Sequence, residues 1–142
     1  MAEVLGVAAS VAGLISLADI VVGRGYKFLR TIKNAEKTVK SLVHEVNVIS
    51  GVLHSLSNTI QLLEEDEDMA NFDPTTQVHY IEACYQTLLQ IQCSFEAALP
   101  TSPLSIGQKI RWPLKLSETK ELLADVQRHK STIVLAMSAT EM

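Results

Sequence analysis

From Ile32 to Leu63 apolar residues recur at alternating steps of three and four: Ile32, Ala35, Val39, Leu42, Val46, Ile49, Leu53, Leu56, Ile60 and Leu63. A β-strand cannot use that period, because its side chains change face at every residue. A helix at 3.6 residues per turn gathers all of them on one stripe. The run covers about four heptads and predicts a single helix of roughly 45 Å at ~1.5 Å per residue. Such a stripe has to be buried against other helices. Val43 and Val52 widen it, as a bundle helix requires and a two-stranded coil does not. The acids Glu64, Glu65, Asp66, Glu67 and Asp68 follow where the helix macrodipole is negative, which helps to end the helix.

The rest of the chain supplies the partners. Residues 3–23 are apolar nearly all round, and Gly23 and Gly25 flank Arg24 as a predicted helix end or joint. Asp73-Pro74 restarts a helix, with Asp as N-cap and Pro at the first helical position. Val78, Ile81, Cys84, Tyr85, Leu88, Ile91, Gln92, Phe95 and Ala98 carry this third helix to about Leu99. Residues 100–113, PTSPLSIGQKIRWP, predict a loop with a short turn near Leu104 to Ile110. A last helix is expected from about Ser117 to Ser138, with Leu122, Leu123, Val126, Ile133, Val134 and Met137 as its stripe. The chain of 142 residues is long enough for one domain with its own core. The predicted fold is therefore all-α: a four-helix bundle with a long second helix and a short extra turn or helix before the last.

The first segment poses a question that periodicity does not answer. Between Glu3 and Arg24 only Asp19 is charged. A helix apolar all round is either fully buried or in lipid. Val4 to Ala18 is uncharged but short of the ~20 residues that span a bilayer, and Val4 to Gly23 reaches that length only by including Asp19. It is not expected to be a signal peptide, since it carries Glu3 where a basic region belongs. Small residues four apart, such as Gly6 and Ser10, Ala8 and Ala12, or Ala9 and Gly13, permit close helix approach in a core or in a membrane.

Charge is mild in total, at −4, and uneven in distribution. Arg24, Lys27, Arg30, Lys33, Lys37 and Lys40 make up half of the 12 Lys and Arg, with only Glu36 among them. A basic run directly after an apolar segment draws that segment to anionic lipid, at ~1 kcal/mol per charge near the surface. The bland alternative is that these side chains cover the solvent face of a core helix. Nucleic acid is a weaker reading: Arg30, Lys33, Lys37 and Lys40 share one face if the helix is continuous, but no aromatic platform interleaves with them. Catalysis finds no support. There is no phosphate-binding Gly-rich loop, and His44, His54, His79 and His129 form no HxxxH or HExxH pair. Neither a metal nor a cofactor is expected. Cys84 and Cys93, nine apart, are expected on one face as two buried small hydrophobes, in a reduced intracellular protein.

Two stretches carry a resemblance. The opening MAEVLGVAASVAGLISLADIV, followed by a long helix, and the closing RWPLKLSETKELLADVQRHKSTIVLAMSA resemble the two ends of HeLo-like N-terminal cell-death domains. These belong to fungal NLR-like (STAND/NACHT) receptors and their effectors, and are related to the four-helix bundle of the necroptosis executioner pseudokinase. The resemblance implies a helical bundle, cytoplasmic at rest, that oligomerises and permeabilises the plasma membrane with its first helix. By position that helix contains Val4, Leu5, Val7, Val11, Leu14, Ile15, Leu17, Ile20 and Val21, with Glu3 and Asp19 as its acidic members. Arg24, Lys27, Arg30, Lys33, Lys37 and Lys40 would face anionic lipid. The chain stops at Met142 with no amyloid motif or nucleotide-binding module after the last helix, so it is expected to be the N-terminal part of a longer protein. Its expected partners are anionic membrane lipid and either a second copy or a helical partner domain, with no nucleic acid. The alternative is a non-membrane signalling adaptor, in which the first helix is permanent core.

Overall fold

The computed structural model describes the backbone of residues 2–32, 35–65, 74–98 and 112–141, and side chains within 9–32, 35–62, 79–98 and 112–138. Four helices make up the fold: α1 (Ala2–Thr31), α2 (Lys37–Glu65), α3 (Pro74–Ala98) and α4 (Leu116–Glu141). The predicted all-α four-helix bundle is the observed one. The extra turn expected near Leu104 to Ile110 lies outside the described residues.

The apolar stripe of α2 explains the bundle most directly. Val39, Leu42, Val46, Ile49, Leu53, Leu56 and Ile60 are each at most 3% exposed, so the stripe is spent inside this molecule. Ile32 and Ala35 precede the helix, which starts at Lys37, yet both remain half-buried against the core. Around α2 the helices form a square. α1 packs on α2 and α3, α4 packs on α2 and α3, and the pairs α1/α4 and α2/α3 stand on the diagonals. Gly25 opposes Val43 while Asp19 meets Ser50, so α1 and α2 run antiparallel. Phe28 meets Phe95 and Ser10 lies beside Ile81, so α1 and α3 run parallel. Thr87 meets His129 while Phe95 meets Trp112, which makes α3 and α4 antiparallel. α2 and α4 are then parallel, and α2 and α3, consecutive in sequence, are not neighbours in the bundle.

Two details correct the sequence reading. The predicted joint at Gly23 and Gly25 does not exist, because α1 continues unbroken to Thr31. Gly25 has a packing role instead: a Cβ there would sit 2.8 Å from Val43 Cγ2, so α1 and α2 approach closely at this point. The apolar stripes of α3 and α4 are also narrower than expected. Tyr85 is 39% and Val134 45% exposed. Cys84 is buried and Cys93 exposed, not on one face as expected, because nine residues at ~100° each place them on opposite sides of α3.

An aromatic cluster closes one end of the core. Phe28, Phe95 and Trp112 lie with ring centroids 4.9–5.8 Å apart, in edge-on or tilted arrangements that favour attraction between rings. The Trp112 indole N–H donates to Thr119 Oγ1 at 2.8 Å, and that hydroxyl donates to the Lys115 carbonyl at 3.0 Å. This chain of bonds ties the segment before α4 to its first turns.

Candidate functional site

The candidate effector is α1, and its register decides which residues are available. Val11, Leu14 and Val21 are at most 1% exposed, Leu17 is 6% exposed, and Ala18 and Phe28 extend the same stripe. Ile15 is half-buried and Ile20 is 45% exposed. The side chains of Glu3, Val4, Leu5 and Val7 lie outside the described residues. On the outer side, Ala9, Ser10, Ala12, Gly13, Ser16, Ile20 and Gly23 are exposed, and Asp19 is the one charge from residue 9 to residue 23. From residue 9 to residue 23 the solvent face of α1 is therefore made mostly of small residues and is nearly uncharged. A surface helix of a soluble bundle ordinarily puts charged residues there.

Asp19 leans toward α2. It accepts a hydrogen bond from the Ser50 hydroxyl at 2.8 Å, and His54 Nε2 stands 3.9 Å from its other oxygen. Both Asp19 and His54 are more than half exposed, so the pair is a weak latch. Arg24 makes the corresponding contact on the other side of α1, 3.9 Å from Glu96 of α3.

The predicted basic patch is divided. Arg24, Lys27 and Arg30 belong to α1, whereas Lys37 and Lys40 belong to α2. Lys33 lies outside the described residues. The single helical face imagined for Arg30 through Lys40 is absent, because α1 ends and α2 begins between them. Lys37 and Lys40 instead line a cleft of about 340 Å³ between α2 and α4, with His44 and Leu123. Deeper along the same interface, Lys130 Nζ donates to Glu45 at 2.8 Å, and both groups are largely buried.

A second cleft, of about 430 Å³, opens between α3 and α4, the least closely packed of the four neighbouring pairs. Leu89, Leu114 and Leu122 line its apolar part, and Glu118, Glu121 and Asp125 form the α4 wall. Asp125 is paired with Arg128 at 3.2 Å. Among the described residues Glu118 and Glu121 have no ion-pair partner.

Sequence reasoning missed one buried polar contact. His129 is 5% exposed and its Nε2 lies 2.9 Å from Thr87 Oγ1. The Thr87 hydroxyl donates to the Ala83 carbonyl at 3.2 Å, which leaves it to accept from the imidazole Nε2–H. Burial pulls the His129 pKa down, the neighbouring Arg128 adds to that, and Asp125 opposes it. The signal was present: Leu122, Val126, His129 and Ile133 follow one stripe at steps of four, three and four. His44, His54 and His79 are exposed, and among the described residues no group of three or more His, Cys, Asp or Glu side chains is placed to hold a metal ion. Burial pushes the Cys84 thiol up to about 12, which removes its nucleophilicity. Compared with known protein families, characterised proteins and solved structures, the chain matches none.

Proposed function

We propose that this chain is a membrane-targeting, pore-forming-type cell-death execution domain, non-enzymatic, whose α1 leaves the bundle and inserts on oligomerisation. The observation that carries the membrane step is the outer face of α1. The segment Ala9–Thr31, 23 residues, has the length and apolarity to cross a bilayer, and only 33% of its most apolar window is buried in the bundle. At ~1.5 Å per residue it would extend about 35 Å, more than the ~30 Å hydrocarbon thickness. Asp19 would sit within that length, and a lone carboxylate there is the main cost. Arg24, Lys27 and Arg30 lie inside the same segment, toward its C-terminal end, where they would reach anionic headgroups. The cell-death role rests on the resemblance of the opening and closing stretches to HeLo-like domains. The protein would be cytoplasmic at rest and at the plasma membrane when active.

A second reading, a signalling adaptor with no membrane step, is favoured by the depth of Val11, Leu14, Ala18 and Val21 in the core. The two readings separate on a substitution that spares packing. Leu14→Lys does not serve, because it places a charge at a fully buried position and unfolds the bundle. Ser16→Lys is exposed, so the bundle stays folded while the inserting helix gains a charge costing ~2.5–3.5 kcal/mol near a bilayer centre. The expected outcome is dye release from anionic liposomes by the intact chain, and strongly reduced release by Ser16→Lys at unchanged Tm. Equal release by both proteins removes α1 from the mechanism, and no release by either supports the adaptor.

A further inference from the structure

All 12 Lys and Arg fall within residues 24–40 and 109–130. Of those that the structure describes, Arg24, Lys27 and Arg30 lie on α1, and the others lie on or beside α4. On its α3 side lie Glu118 and Glu121, without ion-pair partners among the described residues, over the apolar part of the 430 Å³ cleft formed by Leu89, Leu114 and Leu122. α3 contributes no cation to that cleft, for it has no Lys or Arg anywhere along its length. On the α2 side of α4, the first turns of α2 present Lys37 and Lys40, both exposed and without ion-pair partners among the described residues. Glu118 and Glu121 are three apart on one helix, as are Lys37 and Lys40, so each pair spans the same ~5–6 Å along its helix surface.

We propose that the α3/α4 cleft is a self-docking site, which receives the first turns of α2 from a second copy, with Lys37 and Lys40 pairing with Glu118 and Glu121. The acidic α4 wall of the one cleft and the basic α2 wall of the other carry opposite charge, and that complementarity selects a second copy as the occupant. Giver and receiver are different patches, so the contact is heterologous. It builds a ring if the rotation closes and a filament if it does not. Exposed charge pairs form it, so it is weak and labile to salt. This deepens the oligomerisation step of the proposed function, but its test contains no lipid, so failure of the membrane step leaves it untouched.

The test is light scattering coupled to size exclusion on three soluble proteins: the intact chain, the double variant Glu118→Lys with Glu121→Lys, and the double variant Lys37→Glu with Lys40→Glu. The intact chain is expected to associate at low salt and to dissociate at ~1 M salt, where the Debye length is about 3 Å. Each variant alone is expected to be monomeric, with unchanged helical circular dichroism because all four side chains are exposed. An equimolar mixture of the two variants regains association, since the intact α2 of one meets the intact cleft of the other. A monomeric intact chain at low salt, association that either variant leaves unchanged, or a mixture that stays monomeric would each overturn the proposal. So would a monomeric chain whose cleft binds a Lys/Leu amphipathic peptide, which would assign the cleft to a separate basic partner.

Discussion

His129 is the residue whose chemistry the fold changes most. Its folded-state pKa is depressed by burial, with Arg128 adding and Asp125 opposing, while the unfolded chain titrates near ~6.5. Below that value the unfolded state binds the proton more readily than the native state. Stability from this site is therefore present above pH ~6.5 and is lost as pH falls toward the folded pKa, with a slope of at most ~1.4 kcal/mol per pH unit. Thermal melts from pH 7 down to 5 should show a falling Tm, and His129→Gln, which keeps an N–H for Thr87, should flatten that fall. A decline as steep in the variant would assign it to the carboxylates. Tyr80 illustrates a different local outcome. Its hydroxyl is buried without a hydrogen-bond partner among the described residues, and burial pushes its pKa up to about 12.

Among the elements, the contact of α1 with α2 is the most sharply specified. Gly23 and Gly25 are two residues apart in one helix and read alike in sequence, but they differ in surroundings. A Cβ at Gly23 meets open space, so Gly23→Ala should stabilise by about 0.5–1 kcal/mol through helix propensity. A Cβ at Gly25 would press on Val43, a buried β-branched side chain with little rotamer freedom. Overpacking of ~1–3 kcal/mol then outweighs the propensity gain, so Gly25→Ala should be net destabilising. Urea denaturation of the two variants gives opposite shifts of the midpoint. Equal shifts would mean that α1 and α2 are not held at this separation.

For the whole molecule the question is whether α1 is detachable. Val11, Leu14, Leu17 and Val21 are all buried, and at ~1.5–3 kcal/mol each they amount to about 6–12 kcal/mol, comparable with the entire ~5–15 kcal/mol stability of a domain. Deleting residues 2–22 should therefore abolish the cooperative thermal transition while leaving some helix detectable by far-UV circular dichroism. A sharp transition in the truncated chain would show that α2, α3 and α4 form a bundle by themselves. Release of α1 in the proposed mechanism accordingly needs compensation at the same moment, from lipid or from another copy, because two packings of one chain interconvert only when they differ by a few kcal/mol.

The division between sequence and tertiary structure follows the reach of each interaction. The α2 stripe, the start of α3 at Pro74 and the approximate ends of α3 and α4 were legible because periodicity and helix-start signals act within a few residues along the chain. The site was legible only in part. The apolar character of α1 is local and was visible, but which of its residues face inward depends on register against α2 and α3. The basic run looked like one face because its residues are close in sequence, and it was divided by a helix end that no Gly or Pro marks. Cys84 and Cys93 were separated because nine residues at ~100° each carry Cys93 half a turn round α3, to the face opposite Cys84. Sequence by itself determined that this chain is a bundle with one unusually apolar helix. Only the packing decided which residues of that helix face outward and that α4 has an acidic cleft on its α3 side. Both depend on helix rotation about the core, which is set by the fit of neighbouring side chains rather than by any short stretch of sequence.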